Sequence, residues 1–252
     1  MTQRTFTVEY QGSQWRGAFA MWACLQRALE WGIDLLQGEV LQEISFSDLQ
    51  DLFTGDSCIP LIRERWEVLR EVGAVLHERY QGRFRNFFQA QPPRAFGKDG
   101  YVVRLLESFR SYRDESTHQS TGAILKFEKR AQLLGMMYQG RATSSALSPE
   151  LEDAAELGPI ADYGVPKALH SLGILRYAPQ LQTRITSGRF IAKDSVAEQE
   201  IRAQAVRAQI MLLEALNRTR SQELTFIQLD YKLWTLGCAT DEPHHLTVTT
   251  AY

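Results

Sequence analysis

Three short stretches of the chain set ionisable and aromatic side chains at spacings that could serve chemistry. In Glu128-Lys129-Arg130-Ala131-Gln132, helical spacing puts Lys129, Gln132 and Met136 beside an apolar stripe of Phe127, Ala131, Leu134 and Tyr138. A lysine at that edge can reach into a cleft, and it can equally be a solvated helix charge. In Ala161-Asp162-Tyr163-Gly164-Val165-Pro166, Asp162 is placed to N-cap a helix that carries Pro166 in its first turn, where a missing N–H costs no hydrogen bond. Backbone N–H groups and the helix dipole favour a carboxylate there in its charged form, which suits a base or a cation stabiliser; a purely structural cap uses the same letters. In Leu229-Asp230-Tyr231-Lys232-Leu233-Trp234, Asp230 and Trp234 stand one turn apart. An acid beside an aromatic plane can hold a cationic or heteroaromatic ligand, and helix amphipathicity explains the pattern too.

Other chemistries leave no trace. The sequence has no GxSxG, no phosphate loop, no GxGxxG and no HExxH. His244-His245 reads as part of a polar tail, since adjacent histidines rarely point the same way, and no metal is expected. Cys24, Cys58 and Cys238 are far apart and odd in number, which suits a reducing compartment. With 28 basic and 30 acidic residues the formal charge is −2, so nothing favours long nucleic acid. The opening lacks the apolar core of a signal peptide and no run approaches a membrane span, which makes a cytoplasmic protein away from membranes the expectation.

The elements that must carry these clusters are mostly helices. Residues 5–10 alternate and meet Gln11-Gly12, which predicts a short strand and a turn. Helical periodicity follows over 16–31, over a short segment capped by Ser45 or Ser47 and ending at Phe53, and over 60–80, where Ile62, Trp66, Leu69, Val72, Leu76 and Tyr80 recur at steps of three or four. A loop is predicted over 91–100, then helices over 101–109, 124–138, 163–175, 198–217 and 223–236, the last closed by Gly237. The tail ending LTVTTAY is a candidate strand. The fold class is therefore mainly α, with minor β structure near the ends. A 252-residue chain that is 44% hydrophobic and 10% aromatic can bury a core, so a single domain over 1–252 is expected, with a division into two lobes, if any, at the polar connection 139–160.

Taken in chain order, six blocks resemble the queuosine salvage proteins. They are IPLIRERWEVLREVGAVLHERYQGRF (59–84), Arg-Asp-Glu (113–115), EKRAQLL (128–134), ADYGVPKALHSLGILRYAPQL (161–181), EQEIRA (198–203) and LDYKLWTLG (229–237). The resemblance implies a fold similar to helical DNA glycosylases, and hydrolysis of the bond between ribose and queuine in queuosine 5′-monophosphate. Queuine is a 7-deazaguanine with an amine-linked cyclopentenediol. The resemblance implies no metal or redox cofactor, and a small modified nucleotide as partner. It places Lys129 and Asp162 in the catalytic site, Asp162 to stabilise an oxocarbenium-like sugar and activate water. Asp230 becomes the candidate for the cationic amine of queuine, Trp234 and Tyr163 for stacking on the base, and Arg130, Arg176 and Arg202 for the phosphate. Gly164 departs from the family pattern, which has an arginine there. Two other readings keep the same residues: hydrolysis of a different ribonucleoside or its monophosphate, and non-catalytic binding of queuosine or queuine.

Overall fold

A computed structural model describes residues 5–89, 93–145 and 147–252. The first two residues of the loop expected over 91–100, and residue 146 in the stretch 139–160, lie outside the described residues. The chain divides into two compact units, one of Met1–Gln91 with Ser108–Ser111, the other of Pro92–Glu107 with Tyr112–Tyr252. The polar stretch 139–160 lies wholly inside the second unit. Its first residues continue a helix, because Gly140, Ala142, Thr143, Ser144 and Ser145 are small or polar without being helix stops.

The first unit opens with a hairpin. β1 (Thr7–Tyr10) pairs antiparallel with β2 (Ser13–Arg16). Gln11 and Gly12 both take positive φ, 50° and 72°, as a two-residue hairpin turn of this hand requires. Four helices follow: α1 (Ala18–Glu30), α2 (Gly38–Glu43), α3 (Phe46–Leu52) and α4 (Ile62–Arg79). Ser45 caps α3 by accepting from Asp48 N–H at 3.1 Å. Phe6, Val8, Ala20, Cys24, Ala28, Leu49 and Leu52 form the core, with Trp66 and Leu69 of α4 against it. α2 packs on α4 through glycine: a Cβ on Gly73 would sit 2.6 Å from the carbonyl oxygen of Gly38. A fifth helix, α5 (Phe84–Gln89), was not legible in the periodicity. Its six residues are too few to show a stripe, and it is held by packing of Phe84 and Phe87 on Tyr80 and Phe109.

The second unit is built from α6 (Tyr101–Ser108), a small hairpin of β3 (Glu115–Thr117) and β4 (Ile124–Lys126), and then α7 (Lys129–Ser145), α8 (Gly164–Ser171), α9 (Pro179–Thr186), α10 (Val196–Asn217) and α11 (Phe226–Ala239). The hairpin occupies the start of the helix expected from residue 124, so α7 begins only at Lys129, after Glu128 at φ 51°. α8 ends earlier than expected, at Ser171, because Gly173 takes φ 71° and closes the helix. α9 has no counterpart among the expected helices. α11 starts in a capping box between Thr225 and Gln228 and runs on through Gly237. Gly237 is there for contact rather than as a stop: a Cβ on it would lie 2.6 Å from the Gly164 carbonyl oxygen, so glycine lets α11 lie directly on α8. Val165, Ala168, Leu169, Ala205, Leu229 and Leu233 join α8, α10 and α11 in one apolar core. The tail adds a single parallel bridge, Phe190 to Leu246, in place of a strand. Among the described residues no helix is long and apolar enough to cross a membrane.

Candidate active site

Asp162 stands at the start of α8, buried to 8% exposure. Its Oδ1 accepts from the N–H groups of Gly164 and Val165 at 2.8 and 2.9 Å, the capping geometry its sequence context called for. Two residues of α10 hold the chain that leads into it. Arg202 Nε donates to the Ala161 carbonyl at 3.1 Å and Gln209 Nε2 to that of Ile160 at 2.9 Å. From α7, Gln132 Oε1 accepts from Gly158 N–H at 2.9 Å. The position of the carboxylate is thus set from three helices.

Lys129, the first residue of α7, and Asp230 on α11 face Asp162 from the other helices. Burial draws the Lys129 ammonium down from its usual range, and the charges of Asp162 and Asp230 oppose that. Asp230 is pushed up to about 7, first by burial and then by the Asp162 charge, with Lys129 acting the other way. Asp230 Oδ1 is buried with no hydrogen-bond partner. Among the described residues the three charged groups make no direct ion pair with one another, so one cation and two acids feel each other's charge without contact. Trp234 and Asp162 approach the same glycine: a Cβ on Gly164 would be 3.6 Å from Asp162 Oδ1 and 3.6 Å from Trp234 Cδ1. Tyr163 is half exposed, and its ring lies 4.7 Å from that of His244. Lys129, Asp162, Asp230, Trp234 and Tyr163, separated by up to 105 positions in the chain, are therefore brought to one place.

The three arginines expected at a phosphate go to different places. Arg202 is buried to 1% exposure. It is bidentate to Asp114, lies 3.5 Å from Glu198, and is sandwiched between the rings of Phe127 and Tyr252 at 4.0 and 4.4 Å. Arg202, expected at the phosphate, is instead an internal tie that holds the residues before Asp162 and before Lys129 to α10. Arg130 lies over the Tyr112 ring at 5.3 Å. Arg176 is exposed beyond Gly173, and no hydrogen bond or ion pair joins it to the site among the described residues.

The tail is the second correction. His245 is buried, hydrogen-bonded to the Tyr252 hydroxyl at 3.2 Å, and held down to about 4 by burial and by the neighbouring His244 and Arg202 charges. Tyr252 also lies close to Glu198. A pair of histidines in a polar-looking tail gives no sequence signal for this, because the partners come from α10. Gln209, Asp114 and Glu198 were missed as well, because their partners lie elsewhere in the fold, although Asp114 and Glu198 stand in the matched blocks. Among the described residues no three His, Cys, Asp or Glu side chains are grouped to hold a metal ion.

With this geometry in view, the comparisons with known proteins are specific. The queuosine salvage protein family profile matches residues 1–252. A Sphaerobacter thermophilus protein named queuosine 5′-phosphate N-glycosylase/hydrolase is 39% identical over 251 residues, covering 97% of this chain and 75% of that one. The mouse protein of the same name is 29% identical over 239 residues, covering 90% and 68%. One from Schizosaccharomyces pombe, again of that name, is 27% identical over 243 residues, covering 93% and 66%. A match over the full length, carried by proteins from bacteria and eukaryotes alike, leaves one conclusion: this chain belongs to the queuosine salvage protein family.

Proposed function

We infer that this protein is an N-glycosidase that hydrolyses queuosine 5′-monophosphate and releases queuine. The observation that carries the reading is the mutual influence of the Lys129, Asp162 and Asp230 charges, in a chain whose relatives bear that activity in their names. Hydrolysis breaks the bond from the anomeric carbon to the base nitrogen and forms one from that carbon to water oxygen, leaving queuine and ribose 5-phosphate. Positive charge develops on the sugar as the base departs. Asp162, oriented by its two backbone donors, stabilises that charge and takes a proton from the attacking water; the departing base nitrogen gains a proton from solvent, and Asp162 returns its own to solvent. A 7-deazapurine has no N7 to protonate, so the electrostatics around the sugar carry more of the work. Lys129 brings one positive charge to a site with two acids. The bare Oδ1 of Asp230 receives the secondary ammonium of queuine, whose charge would draw the carboxyl back toward ionisation. Trp234 and Tyr163 supply planar faces for the base.

The test is incubation of the purified protein with queuosine 5′-monophosphate, queuosine and guanosine monophosphate, with free base measured by mass spectrometry. Queuine from the first substrate supports the reading. Base from guanosine monophosphate alone moves the substrate class, and ligand-induced thermal stabilisation without any base release makes the protein a binder.

A further inference from the structure

We propose that Tyr252 is a positioning residue for the reaction: its ring, brought back by the tail, holds Arg202 in the orientation that fixes Asp162. The assignment rests on the reading of Asp162 as the group that stabilises the departing sugar, and it adds a residue that touches no reacting atom. The tail returns to the second unit by contacts of its own. Ile191 N–H donates to the Leu246 carbonyl at 2.7 Å, and His245 and Ala251 are buried. His245 Nε2 lies 3.2 Å from the Tyr252 hydroxyl, so the tyrosine is held from within the tail.

The Tyr252 ring lies 4.4 Å from the guanidinium carbon of Arg202, and the Phe127 ring 4.0 Å from the same carbon. A guanidinium is flat, with donors around its edge and two bare faces. Asp114, Glu198 and the Ala161 carbonyl direct the edge of Arg202. Contacts at the edge alone let the plane tilt, and the rings oppose that. Tilting matters because of what Arg202 holds. The 3.1 Å bond from Nε to the Ala161 carbonyl ends one residue before Asp162. Gly164 and Val165, whose N–H groups orient the Asp162 carboxylate, follow directly. Asp114, whose carboxylate binds the guanidinium, accepts with its backbone carbonyl from Phe127 N–H at 3.0 Å, two residues before Lys129. One buried cation thus sets the backbone that leads into both residues. A misplacement of about 1 Å at a reacting group costs about 10²-fold in rate. Packing alone does not call for an aromatic ring at residue 252: an aliphatic side chain fills space there without attracting a cation.

The experiment measures kcat and KM for queuosine 5′-monophosphate in wild type, Tyr252→Phe and Tyr252→Leu, together with amide hydrogen exchange at Gly164 and Val165. Tyr252→Phe keeps the ring over Arg202 and should hold kcat within about twofold of wild type. Tyr252→Leu should lose about tenfold or more in kcat, with KM within about threefold. Its Gly164 and Val165 amides should exchange about tenfold faster or more, while those of Leu212 and Leu233, inside α10 and α11, keep their wild-type rates. Tyr252→Met, whose flexible side chain adapts to the same space, carries the same expectation if Tyr252→Leu does not fold. A folded Tyr252→Leu with wild-type kcat and wild-type exchange overturns the proposal, even with a lowered melting temperature, because the ring would then only add stability. Equal losses in Tyr252→Phe and Tyr252→Leu overturn it as well, since the hydroxyl and not the ring would be at work. If wild type releases no base, the hydrolase reading falls and exchange alone decides. Faster exchange at Gly164 and Val165 in Tyr252→Leu but not in Tyr252→Phe supports the positioning of Asp162, and unchanged exchange in both counts against it.

Discussion

Asp162 commits one oxygen to two backbone N–H groups, and among the described residues nothing bonds the other. An amide can replace the first function and cannot replace the second. Asparagine caps helices as well as aspartate does, so Asp162→Asn should unfold at nearly the wild-type temperature. It should nevertheless lose about 10²-fold or more in kcat, the scale of removing one preorganised electrostatic group. Base release at wild-type rates from the folded variant would end the assignment. Asp230 gives a pH signature. Its carboxyl is raised to about 7, so the stability it contributes is fully present below the unfolded carboxyl range and is lost as pH rises through about 7. Asp230→Asn should therefore melt above wild type at about pH 8, with the difference shrinking toward about pH 4. In wild type KM should fall as pH rises through about 7, because the ammonium of queuine needs the ionised form, and that dependence should vanish in Asp230→Asn. A flat wild-type KM profile would remove Asp230 from amine recognition. At this scale the sequence was informative for Asp162, Lys129 and Asp230, whose local surroundings already held cap and face. It was misleading for Arg202, whose burial depends on Asp114 and Glu198, 88 and four positions away.

Between elements, close contact of helices decides the geometry of the site. α11 brings Asp230 and Trp234 to α8 only because Gly237 allows the backbones to touch. In an isolated helix Gly→Ala is stabilising by about 1 kcal/mol. Here the sign should reverse. The added methyl would meet the Gly164 carbonyl oxygen at 2.6 Å, and Gly237→Ala should cost about 1–3 kcal/mol by urea unfolding, with reduced kcat as the two acids shift. A stabilised, fully active variant would show that the helices can separate without consequence. α10 presents the complementary case. Its apolar stripe of Ala205, Ala208, Leu212 and Leu216 packs as its periodicity requires. The same helix buries Glu198, Gln199, Arg202 and Gln209, which an amphipathic reading assigns to solvent. Each of the last three satisfies backbone carbonyls brought from elsewhere: Thr117 for Gln199, Ala161 for Arg202, Ile160 for Gln209.

For the molecule as a whole, charge limits the kind of substrate. A chain of formal charge −2 has no broad field with which to bind a polyanion, and the substrate inferred for it carries one phosphate. KM for queuosine 5′-monophosphate should accordingly change about threefold or less between about 50 and 200 mM salt, whereas a protein with many phosphate contacts loses orders of magnitude. Queuosine within intact tRNA should not be hydrolysed. A steep salt dependence, or base release from tRNA, would point to a nucleic-acid surface that the composition does not suggest.

The amino-acid sequence by itself determined the mainly helical class, most helix positions, the cap at Asp162 and the family, because those depend on period, propensity and ordered blocks that neighbouring residues carry. It could not determine α5, the β3–β4 hairpin or α9, since elements of three to eight residues are too short to show a period and are held by partners elsewhere. Nor could it determine that the tail folds back, that Arg202 is internal, or that Lys129, Asp162 and Asp230 meet. Those facts rest on contacts between residues tens of positions apart. Only the packing of α7, α8, α10 and α11 selects among the many pairings that the same side chains could make.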